Sequence, residues 1–358
     1  MAKLSIDSLE DLRGRSVLVA GIGGGGDSLG ALLILLRLRS LGVKSMLGCV
    51  VWERFILDPY PGPVPLEQLV NGEVLGRSVA LVDGSSYVDR YGYRFKPQIV
   101  RAAEILGEKT LFLDLSKGEE GLVEAFNIVG EKMGVEAVIG VDVGGDVLAL
   151  GCEEDLWSPL ADSISLGALY KSRLPAAIAV LAPGADGELS QQTVLRRISE
   201  IAGKGGLIGV YGVTRREYRL LRGYMDRFVS EASKVPIEAF EGRLEVKGIR
   251  MGSRSVEVNM VSATFYLLDV EAVYEDSLLA RIVSGSRSAG EARARMNSNC
   301  IYTELDLEED LYKLRLRGGE VTARSLLDVR SEGRRRLLLS GCTPLQCPSR
   351  RHPSQQAF

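Results

Sequence analysis

GIGGGGDSLGALLILLRL, Gly21 to Leu38, decides how the rest of the chain is read. The apolar run ahead of it, SVLVAG (16–21), has the composition of a buried strand. Behind it Leu29, Leu32, Leu33, Leu36 and Leu38 recur at roughly helical spacing. The glycines therefore sit where a strand turns into a helix. There, free backbone N–H groups and the positive end of the helix dipole can hold a phosphate. Gly21, Gly23 and Gly26 match G-x-G-x-x-G, with Gly24 and Gly25 inside the same run and Gly30 placed for close helix–strand contact. The competing reading is a tight turn that only lets the helix pack. Asp27 sharpens the choice. A carboxylate directly behind the glycines repels a pyrophosphate unless a cation lies between them, so Asp27 suits a metal ion, a ribose hydroxyl or an amine. Its alternative role is a helix cap.

Outward from this loop, six more apolar runs read as strands: KSMLGCVVW (44–52), SVALVD (78–83), TLFLDL (110–115), AVIGVDV (137–143), AAIAVLAP (176–183) and GLIGVYG (206–212). Helix-like stretches near 28–41, 97–107, 119–133, 162–171, 190–203 and 215–234 separate them. Strands apolar on both faces, joined by crossovers of this length, predict an α/β fold: a doubly wound, mostly parallel, Rossmann-like sheet over residues 1–240. In 241–328, KGIRMGSRSVEVNMVSATFYLLDVEAVYED (247–276) alternates and then runs into a helix, which reads as a strand-plus-helix appendage packed on the sheet. From Arg330 onward six arginines stand against one glutamate, and 329–358 is expected to be a loosely ordered basic tail.

A second loop repeats the grammar of the first. AVIGVDV runs into Gly144, Gly145 and Asp146. Ligands of parallel sheets bind outside the carboxyl ends of the strands at a switch point. Asp27 and Asp146 are therefore expected to face one crevice and share a Mg²⁺, with Asp142 and Asp146 as the catalytic carboxylates. Gly21 and Gly23 to Gly26, with Gly144 and Gly145, complete the expected cofactor-binding set. Glu53, at the end of the second strand, stands about where Rossmann proteins read a ribose hydroxyl, which keeps NAD(P) open as cofactor. Asp162-Ser163 reads equally as a helix cap, and Glu153, Glu154 and Asp155 as solvated acids. Ser116 and Lys117 after Asp114, the three-tyrosine loop 83–98, and Arg250 with Arg254 are weaker candidates for phosphate, base and anion contacts.

GIGGGGDSLGA, GVDVGGDVL with SPLADSISL, and RMGSRSVEVNMVSATFYLLD together resemble an archaeal and bacterial family of unknown function, over roughly residues 10–310. The resemblance implies a Rossmann-like fold and brings no activity with it. The arginine-rich end lies outside the pattern, so His352, Cys342 and Cys347 carry no catalytic weight.

Composition narrows the chemistry. The only histidine in 358 residues is His352, which argues against Ser-His-Asp or Cys-His catalysis and against zinc held by several histidines. Oxygen ligands favour Mg²⁺ or Ca²⁺. A net charge of −3 gives no bulk attraction to nucleic acid. No apolar run reaches the ~18 residues of a membrane span, and the polar N-terminus does not read as a signal peptide. Five scattered cysteines fit a reducing cytoplasm better than a disulfide framework. The sequence thus reads as a cytoplasmic enzyme that hydrolyses, or transfers a group on, a nucleotide or other small phosphorylated ligand, without nucleic-acid or membrane partners and open to homo-oligomerisation. An NAD(P)-dependent oxidoreductase and a non-catalytic nucleotide sensor are the alternatives.

Overall fold

Nine strands make the central sheet of the computed structural model, which describes residues 6–346. They are β1 (Ser16–Gly21), β2 (Lys44–Val50), β3 (Glu73–Gly76), β4 (Val79–Val82), β5 (Thr110–Leu113), β6 (Ala137–Val143), β7 (Ala176–Leu181), β8 (Leu207–Gly212) and β9 (Thr264–Asp269). Their spatial order is β8-β9-β7-β6-β1-β2-β5-β4-β3. The five in the middle, β7 to β5, are parallel, with Gly21 paired to Cys49 on one side and to Val141 on the other.

Alternation along β1 explains why the sheet is covered on both faces. Val17 and Val19 enter one core with Leu29, Leu32 and Leu33 of the helix Ser28–Ser40. Leu18 and Ala20 enter a second core with Leu122 and Phe126 of Gly118–Met133 and Leu160 and Ile164 of Pro159–Lys171. The Ser28 helix is apolar nearly all round and is accordingly buried nearly all round. Its Gly30 admits β6, because a Cβ there would lie 2.4 Å from Val143 Cγ2.

Four expectations are corrected. SVALVD is antiparallel to β5, and β3, which the strand reading missed, is joined to it by only two residues and forms a hairpin with it. The segment expected to pack on the sheet enters it: β9 lies antiparallel between β7 and β8. Phe265 and Leu267 are buried on one face of β9 and Leu268 on the other, so its place is inside the sheet. Of the tail expected over 329–358, residues 329–339 belong to the helix Ala323–Leu339, with Arg330 buried; residues 347–358, with Cys347 and His352, lie outside the described residues. Finally, Cys300 and Cys342 form a disulfide, and Cys49 is the free cysteine among the described residues. No helix among these residues is long and apolar enough to cross a membrane.

Candidate functional site

From β1 the chain winds through β2 to β5, whereas β6 lies on the other side of β1. The switch point is therefore between β1 and β6, and the loops leaving their carboxyl ends bound a crevice of about 110 Å³. Gly23, Gly24, Gly26, Asp27, Asp142 and Asp146 all line it. Gly21, Gly25, Gly144 and Gly145 do not.

Asp27 makes no side-chain cap to its helix; its Oδ2 turns back to accept the Gly23 N–H at 2.7 Å. This leaves its carboxylate beside Asp142 and Asp162, and one oxygen from each of the three lies within 4.8 Å of the others. Asp142 is steadied by the Val147 N–H at 3.0 Å. Asp162 is not a cap either. Ser158 precedes the helix and Pro159 opens it, so Asp162 falls on the buried inner side, 1% exposed, and its Oδ1 has no hydrogen-bond partner.

The ligand pair expected for one ion is therefore divided. Asp146 groups instead with Asp186 and Glu188, again within 4.8 Å, and the two groups adjoin through Asp142 and Asp146, which line the same crevice and whose charges oppose each other. Ser158 Oγ lies 3.3 Å from Asp146 Oδ2. Asp186 Oδ1 accepts the Glu188 N–H at 3.0 Å, while its Oδ2 is buried without a partner. Close approach here requires Gly144 (φ +125°), whose Cβ would lie 2.4 Å from the Asp186 carboxyl carbon. Glu188 is saturated. It accepts the Trp157 and Ser158 N–H groups at 2.7 and 2.8 Å, the Ser158 hydroxyl, and Arg254 Nη1 at 3.0 Å.

Burial of so many acids sets their proton affinity. It pushes Asp27, Asp146 and Asp162 well above the usual carboxylate range, with neighbouring aspartates adding to the effect. Burial lifts Asp142 to about 6, and burial with the Glu188 charge lifts Asp186 to about 7. At Glu188 burial is outweighed by Arg254, Arg250 and its hydrogen bonds, which hold it down at about 2.

The remaining predicted residues take other roles. Glu53 lines the crevice and accepts Gln98 N at 2.7 Å and Nε2 at 3.1 Å, which holds the loop after β2 to the Gln98 helix. The Gly23 N–H is taken by Asp27 and the Gly25 N–H by the Trp52 carbonyl at 3.0 Å, so these two amides are not open to a phosphate. Asp114 caps its own turn through the Ser116 N–H, Lys117 pairs with Glu67, and loop 83–98 forms a hairpin, Tyr87–Arg90 with Tyr93–Phe95.

Sequence reasoning missed Arg54, Glu188 and the role of Asp186. Arg54 has a left-handed backbone (φ +57°), lies 4.0 Å over the Trp52 ring and donates Nη2 to the Gly23 carbonyl at 2.7 Å; Nη1 is buried without a partner. Nothing in the sequence marks that conformation. Asp186 and Glu188 had a signal: APGADGE follows β7 with the same strand–glycine–acid order as the first two loops.

These features define a doubly wound α/β protein whose switch-point crevice is lined with buried aspartates. The chain belongs to the family described as Protein of unknown function (DUF1152), whose model matches residues 18–312. That span takes in every crevice residue named above and stops short of the helix Ala323–Leu339. No curated protein and no solved structure matches the chain.

Proposed function

We propose that the protein is a divalent-cation-dependent enzyme that hydrolyses, or transfers a group on, a small phosphorylated molecule. The observation that carries this reading is the buried trio Asp27, Asp142 and Asp162, with an unpartnered oxygen on Asp162. Carboxylates this close and this dry repel one another, and a cation removes the conflict. All-oxygen donors suit Mg²⁺, and the bound ion would supply charge neutralisation and a more acidic water. Asp27, Asp142 and Asp162 would hold it. Arg54, which lines the crevice and whose Nη1 has no hydrogen-bond partner, would take a phosphoryl oxygen.

A crevice of about 110 Å³ favours a small ligand over a dinucleotide, since drug-sized ligands occupy roughly 300–1,000 Å³. Glu53, already committed to Gln98, also argues against NAD(P). The test is a thermal-shift screen of small phosphate esters with and without Mg²⁺, followed by assay of phosphate release from the hits. Stabilisation that needs both the ion and the ester is expected; a ligand present at 100 times its Kd adds about 2.7 kcal/mol. Failure of Mg²⁺ to stabilise the protein would overturn the proposal. Ester binding without turnover would favour the sensor.

A further inference from the structure

We propose that the crevice holds a pair of divalent cations, the second bound by Asp146 and Asp186, and that the substrate's phosphoryl dianion bridges the two ions. The inference rests on the reading above for its first ion and adds the second. Two independent observations carry it. One is the second carboxylate group, Asp146, Asp186 and Glu188, adjoining the first through Asp142 and Asp146. The other is Asp186 Oδ2, a buried oxygen without a partner on a residue 5% exposed that lines the same crevice. Asp186 points there because Gly144 leaves the room.

Glu188 is not the ligand that completes this group. Its lone pairs are filled by Arg254, Ser158 and two backbone N–H groups, so it acts as an anchor for the loop. The open lone pairs belong to Asp146 and Asp186.

Charge balance favours two ions over one. Seven carboxylates, the two acid groups and Glu304, are met by the guanidiniums of Arg54, Arg250 and Arg254. Fully ionised, the site carries −4. One divalent ion leaves it at −2, which still repels a phosphoryl dianion. A second brings it to neutral. Paired ions about 3.5–4 Å apart clamp both the attacking and the leaving oxygen of an in-line displacement, and Arg54 Nη1 stands ready for a third oxygen.

The experiment is Mn²⁺ titration of the full chain, read by calorimetry for stoichiometry and by electron paramagnetic resonance for spin coupling. Wild type is expected to bind two ions with an exchange-coupled spectrum. Asp186→Asn and Asp146→Asn should each bind one, uncoupled. One ion in wild type overturns the pair and leaves the single-ion reading standing; no ion overturns both. Two coupled ions retained in both variants would refute the assignment of Asp146 and Asp186. The wild-type stoichiometry decides the matter even if a variant fails to fold.

Discussion

Gly23 and Asp162 lie so close that a Cβ on the glycine would come within 2.9 Å of both carboxylate oxygens of the aspartate, and equally close to Asp27 Oδ2. The absence of a side chain at position 23 is what lets carboxylates from two separate elements share one space. Gly23 is not among the positive-φ glycines, so alanine is tolerated by its backbone. Gly23→Ala should therefore fold while losing at least ten-fold in Mg²⁺ affinity, as measured by calorimetry. Unchanged affinity would show that the two carboxylates do not act on one ion.

Removing one of the crowded charges should separate stability from activity. Asp146 is surrounded by Asp142, Asp162, Asp186 and Glu188, all of which oppose its ionisation. Asp146→Asn keeps the shape and the Ser158 contact. At pH 8 without divalent ions it is expected to be more stable than wild type, and to lose roughly two orders of magnitude in Mg²⁺-dependent turnover. Chemical denaturation and a phosphate-release assay check the two halves separately.

Two buried glutamates outside the aspartate groups give the ion-free protein a pH dependence of known sign. Burial lifts Glu53 and Glu308 to about 7; Glu308 accepts Trp52 Nε1 and Gly62 N at 2.8 Å each, while its Oε1 has no partner. A carboxyl raised in this way binds its proton more tightly folded than unfolded. Its contribution is therefore complete below the ordinary 4.5 and is lost as the pH climbs through about 7, by up to roughly 3 kcal/mol per group. The melting temperature should fall between pH 5 and pH 8. Glu308→Gln should match wild type at pH 5 and exceed it at pH 8, a divergence that scanning calorimetry resolves.

The terminal helix supports the crevice wall from behind. Arg330 donates Nη2 to the Glu154 and Leu156 carbonyls at 2.6 and 2.7 Å and lies 4.8 Å from the Trp157 ring, which Arg254 covers at 3.9 Å. Trp157 and Ser158 in turn donate their N–H groups to Glu188. Arg330→Ala should cost roughly 2–3 kcal/mol, and Arg330→Lys should restore only part of it, because an ammonium can bond the carbonyls but lacks the planar guanidinium that packs on Trp157. Full rescue by lysine in urea denaturation would mean that charge alone matters.

The seven strands read from apolar runs are present, and the five parallel ones in the middle read as continuous hydrophobic sequence because a parallel sheet is buried on both faces. The crevice was legible for a related reason: strand–glycine–acid order marks the carboxyl ends, and Asp27, Asp142 and Asp146 all line one cavity. Which acids group together was not legible, since it depends on where Asp162 falls on its helix and on a loop, Asp186 to Glu188, from a third strand. Arg54 was invisible because its place over Trp52 follows from a left-handed backbone. The antiparallel entry of β9 was hidden for a different reason. Strand direction is set by what the chain does between strands, and apolar pattern carries no arrow.

The position of β9 between β7 and β8 bears on how the molecule is made. A ribosome releases β8 at Gly212 but does not finish β9 until Asp269. At ~5–20 residues per second, β7 must wait several seconds with one edge unpaired, and β8 has no neighbour at all. During that interval the nascent chain presents an open apolar ladder of the kind that invites pairing with other chains. The first 240 residues, which in linear order look like a unit, would emerge as an aggregation-prone half-product. Synthesis slowed within 213–263 should lower the yield of native protein, and chaperones that shield strand edges should recover it.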